Sequence, residues 1–341
     1  MSANLSKKRV VVGVSGGVDS SVSLLLLKRA GFSPVGVFIN LWNENPEKNK
    51  ETVVRAEKIC KILDVPFHVL DAKGEFKKKV VDYFVQEYEK GNTPNPCTVC
   101  NKEIKINLLL QSLSSFDAEY IATGHYARIK KNEEYFISKG ADKKKDQSYF
   151  LWDIKKEWLP RIIFPLGEIK KEEVYKIATE KNLPVTDQKE SQEVCFIEDS
   201  SSEFLGRYLE PFSGDIKNKK GEVIGQHNGL FNYTIGQRKK IGLSGGPYYV
   251  LSKNTERNEL VVTDNEDNLL REELFYSGAN FFTDLPFPFE ALVKIRYNTK
   301  EARGVVYKNK VIFSSPQKSV TPGQSVVFYK EDKLIGGGVI N

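Results

Sequence analysis

Cysteine is scarce in this chain: 341 residues carry four, Cys60, Cys97, Cys100 and Cys195. Four thiols at this length do not make a disulfide scaffold. A chain of this size buries about three quarters of its unfolded surface and needs no such staples. Long apolar runs are missing too. No stretch of about 20 apolar residues is present, which argues against a membrane span. The segment Met1–Lys8 is polar and then basic, with no apolar run before a small-residue cleavage site, which argues against a secretion signal. The expected location is the cytoplasm, where cysteines serve more often as ligands or nucleophiles than as staples. Repeats and low-complexity segments are absent from the sequence. Charge bias is small: 51 Lys and Arg against 45 Asp and Glu leave +6, which permits a nucleic-acid partner without demanding one. With 40% hydrophobic and 28% charged residues the composition is that of a globular protein.

The first half alternates strand and helix signals. Val10–Val14, Pro34–Ile39, Pro66–Leu70 and Glu119–Thr123 read as strands. Val18–Ala30 (closed by Gly31), Glu51–Leu63, Lys73–Lys90 and Asn101–Leu113 read as helices. Such alternation predicts a parallel sheet with helices on both faces. Beyond about Ser202 the apolar runs shorten and glycine punctuates them: Glu222–Gly225, Tyr248–Leu251, Leu260–Thr263, Glu290–Tyr297, Gly304–Tyr307, Lys310–Ser314 and Ser325–Tyr329. These predict small β domains, with Pro286 and Pro288 marking a linker near a boundary. Lys217, Lys219, Lys220, Arg238, Lys239 and Lys240 concentrate within 207–262; they read equally as solvated turns or as a patch for an anionic partner.

The strongest motif is Ser15-Gly16-Gly17-Val18-Asp19-Ser20-Ser21, directly after the first strand and opening the first helix. Glycines let the backbone approach an anion, and unpaired N–H groups at a helix start point at it. Asp19 would repel a phosphate unless a cation such as Mg²⁺ lies between them. The competing reading is a tight strand-to-helix turn with an N-cap serine. The segment lacks the Gly-Lys-Ser/Thr of a Walker A loop and the dinucleotide GxGxxG. It resembles the pyrophosphatase-loop (PP-loop) ATP enzymes. That resemblance implies an α/β, parallel-sheet, adenine nucleotide alpha hydrolase-like domain and adenylation chemistry, in which ATP activates an oxygen and releases pyrophosphate.

Cys60, on the amphipathic helix Glu51–Leu63, reads as a small buried hydrophobe. Cys97 and Cys100 form a CxxC behind Pro94 and Pro96, with a helix expected from about Asn101. Thiols at such a helix start, near Lys102 and Lys105, would have a lowered pKa. The pair reads as a redox couple, half a zinc site, or neither. Cys195, between Val194 and Phe196, would by itself pass for a buried strand residue.

Further segments converge on one family. NTPNPCTVCNKEIK from Asn92, ATGHYAR over 122–128, KDQSYFL over 145–151, Val194–Ile197, Glu203–Leu209, Thr234–Ile241 and Thr321–Phe328 all resemble the bacterial tRNA-specific 2-thiouridylases, in order and over nearly the whole chain. Members place sulfur on C2 of the wobble uridine, U34, of tRNAs for Lys, Glu and Gln. The resemblance implies a PP-loop catalytic domain over 1–202, a small central tRNA-binding domain over 203–276 and a C-terminal β-barrel over 277–341. It implies an ATP site of Gly13, Val14, Ser15, Gly16, Gly17, Val18, Asp19, Ser20, Ile39 and Gly124, with Mg²⁺. Cys195 corresponds to the persulfide carrier and Cys100 to the other catalytic cysteine, with a disulfide between them releasing the sulfur. Asn95, Pro96 and Cys97 match the strip against the target base. Lys145, Asp146 and Gln147, and Arg296 with Tyr297, match tRNA-contacting strips; Arg238, Lys239 and Lys240 would hold phosphates of the anticodon stem. The implied partners are tRNA and an upstream persulfide donor or carrier protein, with no membrane and no DNA. Many members carry aspartate where this chain has Cys97. Three thiols, Cys97, Cys100 and Cys195, would suit a 4Fe-4S cluster with one open iron, the alternative to the persulfide–disulfide route; zinc with His125 is a further option. The competing functions are another PP-loop adenylating enzyme, such as an amide-forming synthetase, and a nucleotide-switched tRNA-binding protein without modifying activity.

Overall fold

The structure, a computed structural model, describes residues 8–184 and 194–341. The described residues form two compact units, one within 8–80, 97–184 and 332–334, the other within 81–96, 194–331 and 335–341.

In the first unit the strands are β1 (Arg9–Gly13), β2 (Ser33–Asn40), β3 (Phe67–Asp71), β4 (Tyr120–Ala122), β5 (Ala127–Lys131), β6 (Tyr135–Lys139) and β7 (Ile162–Ile163). Five of them form a parallel sheet in the order β3-β2-β1-β4-β7, and β5 and β6 form an antiparallel hairpin. Val10, Val11 and Val12 are wholly buried, because the central strand is covered on both faces and its apolar run is continuous. Helix α1 (Val18–Arg29) buries Val22, Leu24, Leu25 and Leu27 against Ala56, Ile59 and Cys60 of α2 (Pro46–Ile62). Helix α2 starts five residues before the expected Glu51. Asn45 caps it by accepting from the Lys48 N–H at 3.2 Å, and Pro46 pre-sets the first turn. Helix α3 (Pro96–Cys100) likewise starts at a proline, runs on through π-type turns at Asn101–Ile106 and ends as Asn107–Gln111. The expected start at Asn101 is therefore corrected: Cys97 and Cys100 lie within the helix, not ahead of it. Helix α4 (Lys171–Glu180) adds Val174 and Ala178 to the α1 core.

In the second unit, β8 (Ser213–Lys217), β9 (Val223–Asn228), β10 (Tyr249–Asn254) and β11 (Glu259–Thr263) make a sheet ordered β10-β11-β8-β9. Ile216, Val250, Leu260 and Val262 form its core. Strands β12 (Leu270–Phe281), β13 (Phe289–Lys294), β14 (Ala302–Val306), β15 (Lys310–Lys318), β16 (Ser325–Lys330) and β17 (Lys333–Ile340) follow in the order β12-β15-β14-β13-β16-β17, and β17 pairs back onto β12. Closure removes the sheet edges. Alternation sets the faces: Val311 and Phe313 point into the barrel core, while Ile312 between them is exposed. Pro286 and Pro288 lie in the connection from β12 to β13 within this barrel, a turn rather than a linker. The architecture is thus the expected one: a parallel α/β domain, a small middle domain and a C-terminal β-barrel.

Candidate active site

Strand order reverses on either side of β1, with β2 to one side and β4 to the other. In an open α/β sheet the crevice beyond the strand C-termini at such a point is the ligand site. The loop leaving β1 and the loop leaving β4 meet there. Gly16 adopts φ +74°, a conformation that favours glycine. Gly17 caps α1 with no side-chain hydrogen bond, so the helix start lacks the N-cap serine of the competing reading. Ser20 instead accepts from the Ser15 N–H at 3.1 Å and donates to the Gly17 carbonyl at 3.1 Å, and the Ser21 hydroxyl donates to the same carbonyl at 2.8 Å. The serines brace the loop from within, and the uncapped helix start suits an anion. A Cβ on Gly124 would stand 3.1 Å from the backbone of Asp19 and Ser20, so the β4 loop lies in close contact with the first turn of α1. Ile39 sits near the end of β2, half-buried.

Asp19 holds a cluster that the motifs do not announce. Lys171, buried at the start of α4, donates to both carboxylate oxygens at 2.8 Å, and the Tyr126 hydroxyl donates to Oδ1 at 2.7 Å. The Lys171 ammonium also lies 5.6 Å from the ring centre of Tyr126 and 5.1 Å from that of Tyr175. A lysine in the first turn of a helix opposes the helix dipole; that misfit was the available signal that Lys171 serves a partner elsewhere. Arg55 of α2 was also missed; its Nε donates to the Gly16 carbonyl at 3.0 Å. His125, next to Gly124, bonds Thr123 Oγ1 through Nδ1 at 2.7 Å. Burial, with the Lys105 charge second, pushes its pKa down to about 3, so the ring is neutral at working pH.

The four thiols have distinct settings. Cys60 has no exposed surface, and burial pushes its pKa up to about 11, as a packing cysteine should be. Cys100 is buried and Cys97 half-buried on α3. Lys102, expected to add to the field at these thiols, is instead held by Asp153 at 3.1 Å. Cys195, in the second unit, is exposed in a turn, which corrects the buried-strand reading. Phe196 turns the other way, packing edge-on against Phe84 (5.5 Å) and Phe204 (5.4 Å), and so anchors the turn that presents the thiol. Iodoacetamide on the native protein is therefore expected to label Cys195 first and Cys60 last, read by peptide mass mapping. Labelling of Cys60 as fast as Cys195 would contradict these placements. Among the described residues, no three His, Cys, Asp or Glu side chains are gathered as metal ligands.

The strips matched to tRNA contacts divide in two. Asp146 is buried; its carboxylate accepts from the N–H groups of Gly140 (2.9 Å) and Ser148 (3.1 Å) and from the Ser148 hydroxyl (2.9 Å). It shapes the loop that carries Lys145, and Gln147 accepts from the Tyr126 N–H at 3.0 Å. Arg296 donates to the carbonyls of Ile235 (2.9 Å) and Ser319 (3.1 Å) and to Thr321 Oγ1, so it ties the central loop to the barrel; Tyr297 stacks under Lys294 at 5.4 Å. Arg238, Lys239 and Lys240 are exposed cations, available to phosphates. Asn95 and its neighbours are strapped from the barrel. Asn95 donates to Ser325 Oγ at 3.3 Å, Gln324 donates to the Thr93 carbonyl at 2.7 Å, and the Thr93 N–H donates to the Pro322 carbonyl at 2.9 Å. The segment from Thr321 thus supports the strip before Pro96 and Cys97.

Comparison with known proteins adds matches to family models, to relatives and to a solved structure. Residues 8–199 match the family model described as the tRNA methyl transferase HUP domain, 202–264 the tRNA methyl transferase PRC-barrel domain and 271–340 the aminomethyltransferase beta-barrel domain. The chain is 42% identical over 350 residues to tRNA-specific 2-thiouridylase MnmA 2 of Clostridium botulinum, covering 98% of this chain and 99% of that protein. It is 41% identical over 361 residues to tRNA-specific 2-thiouridylase MnmA of Carboxydothermus hydrogenoformans, covering 98% of each. Among solved structures, the U34-tRNA thiolase NcsA from Methanococcus maripaludis with its 4Fe-4S cluster matches at 18% identity and a TM-score of 0.36, over 56% of this chain and 63% of that one.

Proposed function

The chain belongs to the tRNA-specific 2-thiouridylase family, and from that premise we propose that it thiolates C2 of the wobble uridine of tRNA at the expense of ATP. The observation that carries this reading is the uncapped glycine loop at the sheet's switch point, in a chain whose CxxC helix and exposed Cys195 supply thiols. The loop from Gly13 to Ser20, with Ile39 and Gly124, holds ATP. The donor chemistry suits Mg²⁺: Asp19 is a carboxylate at a phosphate loop, and the ion would screen it from the phosphates. Asp19 is the residue of the loop that would hold the ion; in this structure both of its oxygens accept from Lys171.

Chemistry then runs in two halves. The uridine O2 attacks the α-phosphorus, the bond to pyrophosphate breaks, and O2 becomes part of an AMP leaving group. Cys195 carries a persulfide taken from a donor protein. The Cys100 thiolate attacks the Cys195 sulfur, a Cys100–Cys195 disulfide forms, and sulfide departs to attack C2 and expel AMP. A thiol reductant returns two electrons to the disulfide, a step suited to the reducing cytoplasm. This route uses thiols alone; a 4Fe-4S cluster on Cys97, Cys100 and Cys195 is the alternative, and iron and acid-labile sulfide analysis after anaerobic reconstitution distinguishes the two. Asn95, Pro96 and Cys97 lie against the base, which must leave the anticodon-loop stack to be reached. Lys145, Arg238, Lys239 and Lys240 meet phosphates, while Asp146 and Arg296 act by holding the contacting segments in shape.

The test is mass spectrometry of wobble nucleosides from tRNA incubated with the protein, Mg-ATP and a persulfide donor. 2-Thiouridine at position 34 with one AMP per base is the expected result. Bound tRNA without 2-thiouridine would overturn the reading, and AMP release without tRNA but with an amine acceptor would point to an amide-forming synthetase.

A further inference from the structure

The loop presents an electrostatic puzzle. Its own residues, Ser15 to Ser21, include one charged side chain, Asp19, and no cation. A triphosphate brings several negative charges to this point. The Lys171 ammonium is held by both oxygens of Asp19, so that pair contributes little net charge. The other cation hydrogen-bonded to the loop is Arg55. Its Nε donates to the Gly16 carbonyl at 3.0 Å. Among the described residues no carboxylate pairs with it, and its two terminal amino groups make no hydrogen bond. The side chain is half-buried, and the fit behind it is close: a Cβ on Gly16 would stand 3.1 Å from the Thr52 carbonyl and 3.3 Å from Arg55 Nε. Helix α2 is thus packed on the turn of the loop, and the guanidinium is pinned at one edge with its other edge unengaged.

We propose that Arg55 is a further nucleotide-binding residue, with its terminal amino groups clamping the phosphates of ATP that leave as pyrophosphate. A guanidinium offers five N–H donors in a fixed plane, and its outer edge matches two phosphate oxygens. The bond from Nε to the loop orders the side chain before the ligand arrives, so little rotamer freedom is lost on binding. The same bond ties the clamp to the loop, because Gly16 both shapes the turn and holds the arginine. This inference rests on the reading of the loop as an ATP site.

Titration calorimetry with ATP, AMP and inorganic pyrophosphate, each with Mg²⁺, tests it on the full chain. Arg55→Met is expected to weaken ATP and pyrophosphate binding about tenfold to a hundredfold, the size expected for charge-assisted hydrogen bonds, and to leave AMP binding unchanged. Arg55→Lys keeps the charge but lacks the fork, so it is expected to fall between the two. In steady state the loss should appear in the KM for ATP more than in kcat. Equal losses for ATP and AMP would make Arg55 a mere brace of the loop, and unchanged ATP binding in a folded Arg55→Met variant would remove it from the site; either result overturns the proposal. Wild-type protein that binds none of the three ligands would overturn the ATP-site reading itself, a result the variants cannot produce.

Discussion

Replacing Cys100 or Cys195 by serine is expected to lower 2-thiouridine formation by at least about 10³-fold, the scale for deleting a nucleophile, while pyrophosphate release in a single turnover persists. The asymmetry follows from the two halves of the reaction. Adenylation needs the β1 and β4 loops, which carry no thiol. Sulfur delivery needs a thiolate to break a persulfide, and a hydroxyl at neutral pH does not supply one. Cys60→Ser should leave both halves intact, because Cys60 is enclosed between α2 and the sheet. A Cβ on Gly36 would stand 2.6 Å from its sulfur, and burial holds it as a thiol. The measurement is quench-flow pyrophosphate release beside nucleoside mass spectrometry. Thiolation at wild-type rate in either serine variant would exclude that cysteine from the chemistry. Loss of pyrophosphate release together with thiolation would show that the thiols help to form the adenylation site.

Lys171→Met is expected to produce the opposite pattern, with pyrophosphate release slowed about 10²–10³-fold, because the ammonium no longer holds Asp19 and the first turn of α1 in place at the phosphate loop. Stability should fall as well. The Lys171 side chain is 10% exposed and Asp19 33% exposed, so removing the ammonium leaves a partly buried carboxylate without its counter-ion. A fully buried pair broken on one side costs about 3–5 kcal/mol, and the partial exposure of Asp19 reduces this to about 2–3 kcal/mol. The double variant Lys171→Met, Asp19→Asn removes both charges. It is expected to regain most of the melting temperature and none of the activity, which separates the structural from the catalytic contribution of the pair. A single variant with normal pyrophosphate release would show that Lys171 only balances Asp19.

Much of the molecule was legible one residue at a time. The parallel sheet could be read because a strand covered on both faces must be a continuous apolar run, as Val10–Val12 are. The loop could be read because glycine at Gly16 answers a backbone requirement, φ +74°. Helix α3 starts at Pro96 rather than at the expected Asn101, because proline fits the first position of a helix, where its missing N–H costs nothing. Cys195 differs from its expected local structure. Val-Cys-Phe-Ile has strand composition, and only the packing of Phe196 on Phe84 and Phe204 shows that the chain turns there.

What the sequence by itself determined is therefore the family pattern running the length of the chain, with a glycine loop after the first strand and a CxxC among its motifs. Those signals are local, written in residues whose backbone or nucleophilic character can be read without neighbours. What only the tertiary structure decided is which charges meet. Asp19 finds Lys171 across 152 residues, Gly16 finds Arg55 across 39, and Arg296 finds the carbonyls of Ile235 and Ser319. A charged side chain looks the same in sequence whether it faces solvent, a phosphate or a buried partner. Its meaning is set by what lies within about 3 Å of its polar atoms, and that depends on the fold.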